Sequence, residues 1–302
     1  MGRNKKVQIF IATRDRIQSL KGAIDSILSQ SYKDFEVIVS DNSTNDITQF
    51  EVTKNYSGRV TYRRRDPPVG ALDHFNQILA EVSSDYFMVF HDDDEMYPDM
   101  INTLGDFLDE NKSFCAVGSG ADCMKGGKEI RTRFYSSRTV KFIQNSSELV
   151  LGYFINVGMV PFPSYMYRKA VAETIRFDIE KGGKYCDVAF LMDVADFGKL
   201  AYLPQRLMVY NFHADQDSYT NNLIDRSRLV TYISKKTTHV RGKGAFKKYR
   251  LRNLYSEVAQ RIRIGDRIPM KVLIFMILIS SCSFEYLLKL TYHFLSRKLN
   301  LN

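Results

Sequence analysis

The segment Tyr86–Glu95 runs from five apolar residues through His91 into three consecutive aspartates. The apolar run predicts a strand that is buried on both faces of a sheet, so Asp92, Asp93 and Asp94 come at its carboxyl end. Three adjacent carboxylates repel one another unless a cation neutralises them. A hard divalent cation that also carries phosphate oxygens would do so. The alternative is a solvated acidic turn, because Asp is common in turns.

Elements that could position these carboxylates precede them. Strands are predicted for residues 7–12, 35–40 and 60–62, and helices for residues 17–28 and 71–82. Strands that alternate with helices predict an α/β fold with a mostly parallel sheet and right-handed crossovers. In such sheets ligands bind at the carboxyl edge, and here that edge would gather Asp15, Asp41 and Asp92–Asp94.

Composition limits the class of protein. The chain has 302 residues, of which 44% are hydrophobic, enough for a sizeable core and too many for a disordered chain. The cysteines at positions 115, 123, 186 and 282 form no C-x-x-C pair, so we expect reduced thiols in a cytosolic protein. The polar N-terminus leads directly into the first predicted strand, and we expect no signal peptide.

The net charge of +9 comes from one end of the chain. Residues 240–302 carry 13 Lys or Arg residues against 3 Asp or Glu residues. An apolar run at residues 272–279 is too short to span a bilayer, and an amphipathic helix is predicted beyond it. We expect an interfacial tail beside an anionic membrane. The alternative is a helical cap on the preceding domain. Nucleic acid is a poorer prediction, because no binding motif accompanies the charge.

The run from Val7 to about Ser218 resembles the inverting family-2 glycosyltransferases with a GT-A fold. The similarity is carried by the segments 11–16, 36–43, 70–77 and 91–98, in that order and spacing. The resemblance implies a GT-A type nucleotide-binding sheet flanked by helices over residues 1–239, with residues 240–302 as a C-terminal helical extension. It also implies a nucleotide-sugar donor and a Mg²⁺ or Mn²⁺ ion.

The resemblance assigns the metal ligands to the aspartate run. Asp93 is the best-matched ligand, Asp92 the ribose or metal partner, and Asp94 a supporting residue. The family usually has Asp where this chain has His91, which could itself bind metal. His213 lies in a segment that resembles the family's loop over the nucleotide, and it could hold the metal or contact the diphosphate.

Nucleoside contacts are implied for Thr13, Asp15 and Asp41, with Asp41 accepting from the base. Turn chemistry would also explain Thr13 and Asp15, and a helix N-cap would explain Asp41. Ser164 falls in a segment that resembles the part of the family beneath the sugar and the acceptor.

The family places its catalytic base where this chain has Asp187. Two glycines precede it and a helix is predicted to follow. The family usually has an acidic pair here, and Cys186 replaces the first member. The alternative is an acid that favours a helix N-terminus. Asp178, Glu180 and Asp193 are further candidates for the base.

Together these features predict a metal-dependent inverting glycosyltransferase that uses a nucleotide-sugar donor, with UDP favoured. Its acceptor would be a hydroxyl of a glycan or lipid-linked molecule in surface polysaccharide biosynthesis, at the inner face of the membrane. A sugar-phosphate nucleotidyltransferase is one alternative, but the turn at residues 13–16 lacks the glycine expected there. A non-catalytic basic membrane-binding module is the other, and it leaves the acidic strand ends unexplained.

Overall fold

The structure is a computed structural model. It describes residues 7–130, 134, 138–154, 159–213, 222–237, 244, 246, 249 and 253.

Strands and helices alternate along the first half of these residues. The strands are β1 (Val7–Thr13), β2 (Phe35–Asp41), β3 (Thr61–Arg64), β4 (Tyr86–His91), β5 (Glu95–Met96), β6 (Phe114–Lys125), β7 (Lys128–Ile130), β8 (Lys141–Ile143), β9 (Met166–Arg168) and β10 (Lys199–Phe212). The helices are α1 (Ile17–Leu28), α2 (Ile47–Tyr56), α3 (Ala71–Ala80), α4 (Met100–Glu110), α5 (Ser146–Phe154), α6 (Lys169–Thr174), α7 (Ile179–Gly182), α8 (Cys186–Phe197) and α9 (Leu223–Lys236). The predicted elements before residue 90 are confirmed within two residues.

The strands form one sheet in the order β3-β2-β1-β4-β9-β6-β10-β5, with β7 beside β6 and β8 beside β10. The four strands β3, β2, β1 and β4 are parallel, as predicted. The register pairs Thr13 with Asp41 and Ala12 with His91. The carboxyl ends of β1, β2 and β4 therefore lie side by side.

Helices cover both faces of the sheet, which explains why its central strands are apolar throughout. Successive strand residues point to opposite faces, so Ile9 and Phe10 enter different cores. Ile9 belongs to the core that contains apolar residues of α1 and α4, and Phe10 to the core that contains apolar residues of α3, α5 and α8. Every residue of β1 except Ala12 is buried, as is every residue of β4 except His91.

The middle of the sheet departs from the predicted parallel pattern. Strand β9 is antiparallel to both β4 and β6, between which it lies. Its three residues are too few to give a periodicity of their own, and the two long neighbours supply its hydrogen-bond partners. Strand β6 runs from Phe114 to Lys125, before the glycine turn at 126–127.

The predicted tail is described at four positions only. Two of them, Phe246 and Tyr249, pack against the ring of Phe154 in α5, with ring centroids 5.4 and 5.0 Å away. Tyr249 is 2% exposed. These two residues therefore contact the body of the protein. The apolar run at 272–279 and the amphipathic helix beyond it lie outside the described residues, and within the described ones no helix is long and apolar enough to cross a membrane.

Gly183 holds the connection between α7 and α8 in a conformation that alanine cannot adopt without strain. Its φ is +55°, and a Cβ atom built there would lie 2.0 Å from Asp225 Oδ1 and 2.6 Å from Asp225 Cβ. Because the Cβ of Asp225 is fixed to α9, the helix itself would have to move.

We therefore expect Gly183→Ala to destabilise the protein by about 2–5 kcal/mol, which combines backbone strain with overpacking. Gly127→Ala is the matched control, since Gly127 also has a positive φ, of +75°, but a Cβ atom added to it would meet no atom within 4 Å. The control should cost about 1–2 kcal/mol. Urea denaturation measures the free energy of unfolding of both variants. Equal decreases would show that Asp225 can move away from the added Cβ atom at no cost.

Candidate active site

The ends of β1 and β4 are joined by a side-chain hydrogen bond. Thr13 Oγ1 donates to Asp92 Oδ2 over 2.6 Å. Both residues are buried, at 3% and 4% exposure. Burial raises the pKa of Asp92, while the hydrogen bond from Thr13 opposes that rise. Thr13 and Asp92, predicted to contact the donor together, thus meet at the sheet edge.

Asp93 is held by residues at the end of β10. His213 Nε2 lies 2.6 Å from Asp93 Oδ2. The side-chain amide of Asn211 donates to the backbone oxygen of Asp93 over 2.8 Å. The predicted pair Asp93 and His213, separated by 120 residues in the chain, is therefore brought into direct contact. Residues 214–218, which belong with His213 to the predicted loop, lie outside the described residues.

Asp94 has one satisfied and one unsatisfied carboxylate oxygen. Its Oδ1 accepts from the backbone N–H of Asn211 over 2.9 Å. Its Oδ2 is buried and has no hydrogen-bond partner among the described residues. Burial, with the nearby charge of Asp93, raises the pKa of Asp94 well above its usual range. A buried carboxylate oxygen without a donor is costly, unless a cation completes it.

His91, Asp93 and Asp94 offer ligand atoms that all lie within 4.8 Å of one another. Partial burial of its ring lowers the pKa of His91, which favours the neutral imidazole that binds metal. The two carboxylates suit Mn²⁺ or Mg²⁺, whereas the imidazole is a ligand of transition metals. These residues fit a divalent cation. Asp92 lies outside this group, since its two oxygens face Thr13 and Arg16.

Asp41 ends β2 and is completely buried. Its Oδ1 accepts from the backbone N–H of Ser43 over 2.9 Å, and its Oδ2 accepts from the hydroxyl of Tyr62 over 2.5 Å. The carboxylate thus closes its own turn and fixes β3. Its predicted contact with the base stays a prediction.

Asp15 joins the loop after β1 to the loop after β2. Its backbone has φ +54°, a conformation that Asp tolerates better than most residues. Its Oδ1 accepts from the backbone N–H of Thr44 over 2.9 Å and from the side-chain amide of Asn45 over 3.1 Å. Asp15 therefore shapes the wall beside the sheet edge, and its contact with the nucleoside also stays a prediction.

Ser164 is completely buried. Its hydroxyl donates to the carbonyl of Pro161 over 2.7 Å and accepts from the backbone N–H of Ser119 over 3.2 Å. These bonds tie the segment before β9 to β6. The predicted contact of Ser164 with the donor remains a prediction.

Asp187 lies in the first turn of α8, where the predicted helix begins. Burial raises the pKa of its carboxyl, although backbone hydrogen bonds oppose the rise. Besides burial, the charges of Asp94, Asp93 and Asp187 raise the pKa of Tyr210. The charge of Asp187 therefore acts on the same tyrosine as the charges of Asp93 and Asp94 in the candidate metal group.

The three alternative bases are occupied elsewhere. Asp193 is ion-paired with Lys181 and Lys236, at 2.9 and 2.5 Å. Burial by itself would raise the pKa of Asp193, but hydrogen bonds from Lys236, Tyr232 and Lys181 outweigh it and lower that pKa. Asp178 accepts from the backbone N–H of Glu180 as the cap of α7. Glu180 is exposed and pairs with Arg228 at 3.5 Å.

The raised pKa of Asp187 leads to a pH prediction. A base acts only when it is deprotonated, so activity should be lost as pH falls through the folded-state pKa. Because that pKa is above the ordinary value of about 3.9, the loss should begin at a higher pH than for an exposed Asp. Turnover at saturating donor and metal, measured against pH, checks this. A profile that stays flat down to pH about 4 would exclude Asp187 as the group that titrates.

Sequence patterns assign no role to Arg16, Asn211 or Tyr210. Arg16 Nη1 lies 3.5 Å from both Asp92 Oδ1 and Asp93 Oδ2. Asn211 and Tyr210 are visible in the sequence only as neighbours of His213, in a segment that follows the apolar part of β10. Their roles depend on the pairing of β10 in the sheet, which no local pattern encodes.

Solved structures that resemble this fold include TarS and PcManGT. TarS of S. aureus in complex with UDP-GlcNAc is 12% identical, with a TM-score of 0.57, over 85% of this chain and 83% of that chain. The mannosyltransferase PcManGT of Pyrobaculum calidifontis, in complex with GDP-Man and Mn²⁺, is 14% identical, also with a TM-score of 0.57, over 98% of this chain and 87% of that chain. The fold is that of the GT-A glycosyltransferases.

The sequence model of glycosyl transferase family 2 matches residues 8–176, more than half of the chain. The chain therefore belongs to glycosyl transferase family 2 and is a glycosyltransferase. The predicted resemblance and fold class are confirmed, and the family favours glycosyl transfer over nucleotidyl transfer or a non-catalytic role.

Two of the curated relatives match shorter stretches. A Bacillus subtilis protein named as glycosyltransferase EpsE is 27% identical over 123 residues, which are 40% of this chain and 44% of EpsE. The GalNAc(5)-diNAcBac-PP-undecaprenol beta-1,3-glucosyltransferase of Campylobacter jejuni is 31% identical over 103 residues, 33% of each chain. The match thus spans less than half the length of these two relatives.

Proposed function

We propose that this protein is a metal-dependent inverting glycosyltransferase. It moves a sugar from a nucleotide-sugar donor to a hydroxyl of a glycan or lipid-linked acceptor in surface polysaccharide biosynthesis. The observation that carries the proposal lies at the carboxyl edge of the sheet: within the described residues, the buried Oδ2 of Asp94 has no hydrogen-bond partner, and it lies beside His91 and Asp93. That edge is where α/β sheets bind ligands.

His91, Asp93 and Asp94 would hold the cation. The metal, when bound, would stabilise negative charge on the leaving diphosphate. His213 contacts Asp93 and fixes the direction of its carboxylate, and Asn211 braces the turn from Asp93 to Asp94. Such supporting contacts hold ligands in a fixed orientation. Mn²⁺ is supported by the ion in PcManGT, and Mg²⁺ shares its preference for carboxylate oxygens.

Asp187 would act as the general base. In an inverting transfer the acceptor hydroxyl attacks the anomeric carbon opposite the leaving diphosphate, and its proton must pass to a nearby base. Burial raises the pKa of Asp187, which strengthens it as a proton acceptor. Among the four candidate bases, Asp187 is the one whose charge acts on Tyr210 together with the charges of Asp93 and Asp94.

The donor is proposed to be a UDP-sugar. TarS was solved with UDP-GlcNAc and PcManGT with GDP-Man, so the fold accepts either base. Thr13, Asp15, Asp41 and Asp92 are proposed to form the nucleoside side of the site, and Ser164 the floor beneath the sugar. The lipid-linked acceptor is supported by the name of the Campylobacter jejuni relative.

A transfer assay tests this function. The protein is incubated with Mn²⁺, a radiolabelled UDP-sugar or GDP-sugar, and a polyprenyl-diphosphate-linked oligosaccharide. We expect label in the lipid fraction from a UDP-sugar and loss of that label with EDTA. Label that appears equally in EDTA would contradict metal dependence. Transfer from GDP-sugars alone would contradict the proposal that the donor nucleotide is UDP.

We also propose that the basic residues 240–302 hold the protein at an anionic membrane surface, peripheral on the cytoplasmic face. The proposal is supported by their excess of 13 cationic over 3 anionic side chains and by the attraction of such segments to anionic lipids. Removal of residues 268–302 takes away the apolar run at 272–279 that would enter the interface, so it should abolish flotation with anionic liposomes and leave UDP binding unchanged. Unchanged flotation, or a full-length protein that never floats, would contradict the proposal.

A further inference from the structure

Arg16 lies directly before α1 and reaches across the loop to the aspartate run. Its Nη1 is 3.5 Å from Asp92 Oδ1 and 3.5 Å from Asp93 Oδ2. Asp93 Oδ2 is the oxygen that His213 also contacts, and Asp93 belongs to the candidate metal group. The guanidinium therefore shares a carboxylate with the proposed cation site.

The contact has the features of a replaceable ion pair. Both distances are longer than the roughly 2.7–2.9 Å of a strong charge-assisted hydrogen bond. The Arg16 side chain is 43% exposed, whereas those of Asp92 and Asp93 are 5% and 11% exposed. The buried carboxylates are fixed by their surroundings, and the half-exposed arginine at the mouth of the site is the partner that can turn away. Little reorganisation is needed to move its guanidinium.

A divalent cation and a guanidinium repel each other when they share one carboxylate oxygen. Entry of the metal would therefore weaken the contact between Arg16 and Asp93. The freed guanidinium would still stand at the edge where the donor is proposed to bind. Its planar set of donors suits phosphate oxygens.

We propose that Arg16 holds the place of the cation in the metal-free protein and pairs with the donor diphosphate once the metal is bound. The inference rests on the proposed function, because it assigns a second partner to the diphosphate of that same site. Arg16 thereby couples the two ligands. It opposes metal binding to the metal-free protein and favours nucleotide binding to the metal-loaded protein.

Arg16→Gln tests the effect of Arg16 on metal binding and its effect on nucleotide binding by separate measurements. Binding of Mn²⁺ alone is measured from the electron paramagnetic resonance signal of free Mn²⁺, and binding of UDP at saturating Mn²⁺ by calorimetry. We expect Mn²⁺ to bind about three- to tenfold more tightly, since the competing ion pairs are gone. We expect UDP to bind about tenfold more weakly, since a charge-assisted bond is lost.

Arg59→Gln is the control for net charge. Arg59 is exposed and precedes β3, so it lies at the opposite end of the parallel strands from Asp41 and Arg64. Its substitution removes the same charge and should change neither affinity. Mn²⁺ affinity in Arg16→Gln that is unchanged or weaker would overturn the place-holding role, and unchanged UDP affinity would overturn the diphosphate contact. Failure of wild-type protein to bind Mn²⁺ and UDP at all would instead reject the proposed function.

Discussion

Asp187→Asn is expected to lower turnover by about 10²–10⁴-fold, the usual contribution of a general acid or base. The amide keeps the shape of the carboxylate at the start of α8 and loses its ability to accept a proton. Because burial raises the pKa of Asp187, removal of its charge should not destabilise the fold. UDP affinity in Mn²⁺ should stay near that of the wild type, because the base acts on the acceptor.

Asp178→Asn is the matched control for that substitution. Asp178 caps the neighbouring helix α7 through its Oδ1, and Asn caps helices about as well. Its turnover should stay within about twofold of wild type, as expected when only a surface cap is exchanged. Steady-state kinetics with a fixed acceptor compares the two variants. If Asp187→Asn keeps more than about a tenth of wild-type turnover, the base is another residue.

Asp93→Asn is expected to remove the metal-dependent part of UDP binding. The substitution removes one of the two carboxylates in the group of His91, Asp93 and Asp94. It also removes the carboxylate that His213 contacts. Since loss of a mere supporting contact costs about 10–100-fold in metal affinity, loss of a ligand should cost at least that. Transfer should fall below detection.

Asp99→Asn serves as the control for Asp93→Asn. Asp99 accepts a hydrogen bond from the hydroxyl of Ser31 over 2.7 Å, away from the metal group, and Asn can keep that bond. Direct titration of Mn²⁺ and calorimetric titration of UDP should separate the two variants. An Asp93→Asn protein that still binds UDP more tightly in Mn²⁺ than in EDTA would place the cation elsewhere.

The parts of the site that were predictable from sequence are those set by local pattern. The apolar run before Asp92 defines β4, and the register of parallel strands then carries Thr13, Asp41 and Asp92 to one edge. The glycines and the apolar face after Asp187 likewise fix where α8 begins. In each case the burial of a short apolar segment fixes where the adjacent polar residue lies in the fold.

The parts that were not predictable depend on distant strands. Asn211 reaches Asp94 across 117 residues of sequence, and only because β10 enters the sheet beside β6 and β5. Arg16 belongs to a turn, and its contacts with Asp92 and Asp93 follow from how that turn meets the end of β4. The resemblance located the segment of Ser164, but it did not predict the partners of the side chain. The hydroxyl of Ser164 makes its hydrogen bonds within the protein, to Pro161 and Ser119.

Calorimetric titration of UDP into the wild-type protein, first in Mn²⁺ and then in EDTA, tests most directly whether a cation at the aspartate run binds the donor diphosphate. We expect the dissociation constant to be at least about tenfold lower in Mn²⁺, a difference of about 1.4 kcal/mol. Equal affinity in the two buffers would contradict a cation that bridges the aspartate run and the diphosphate.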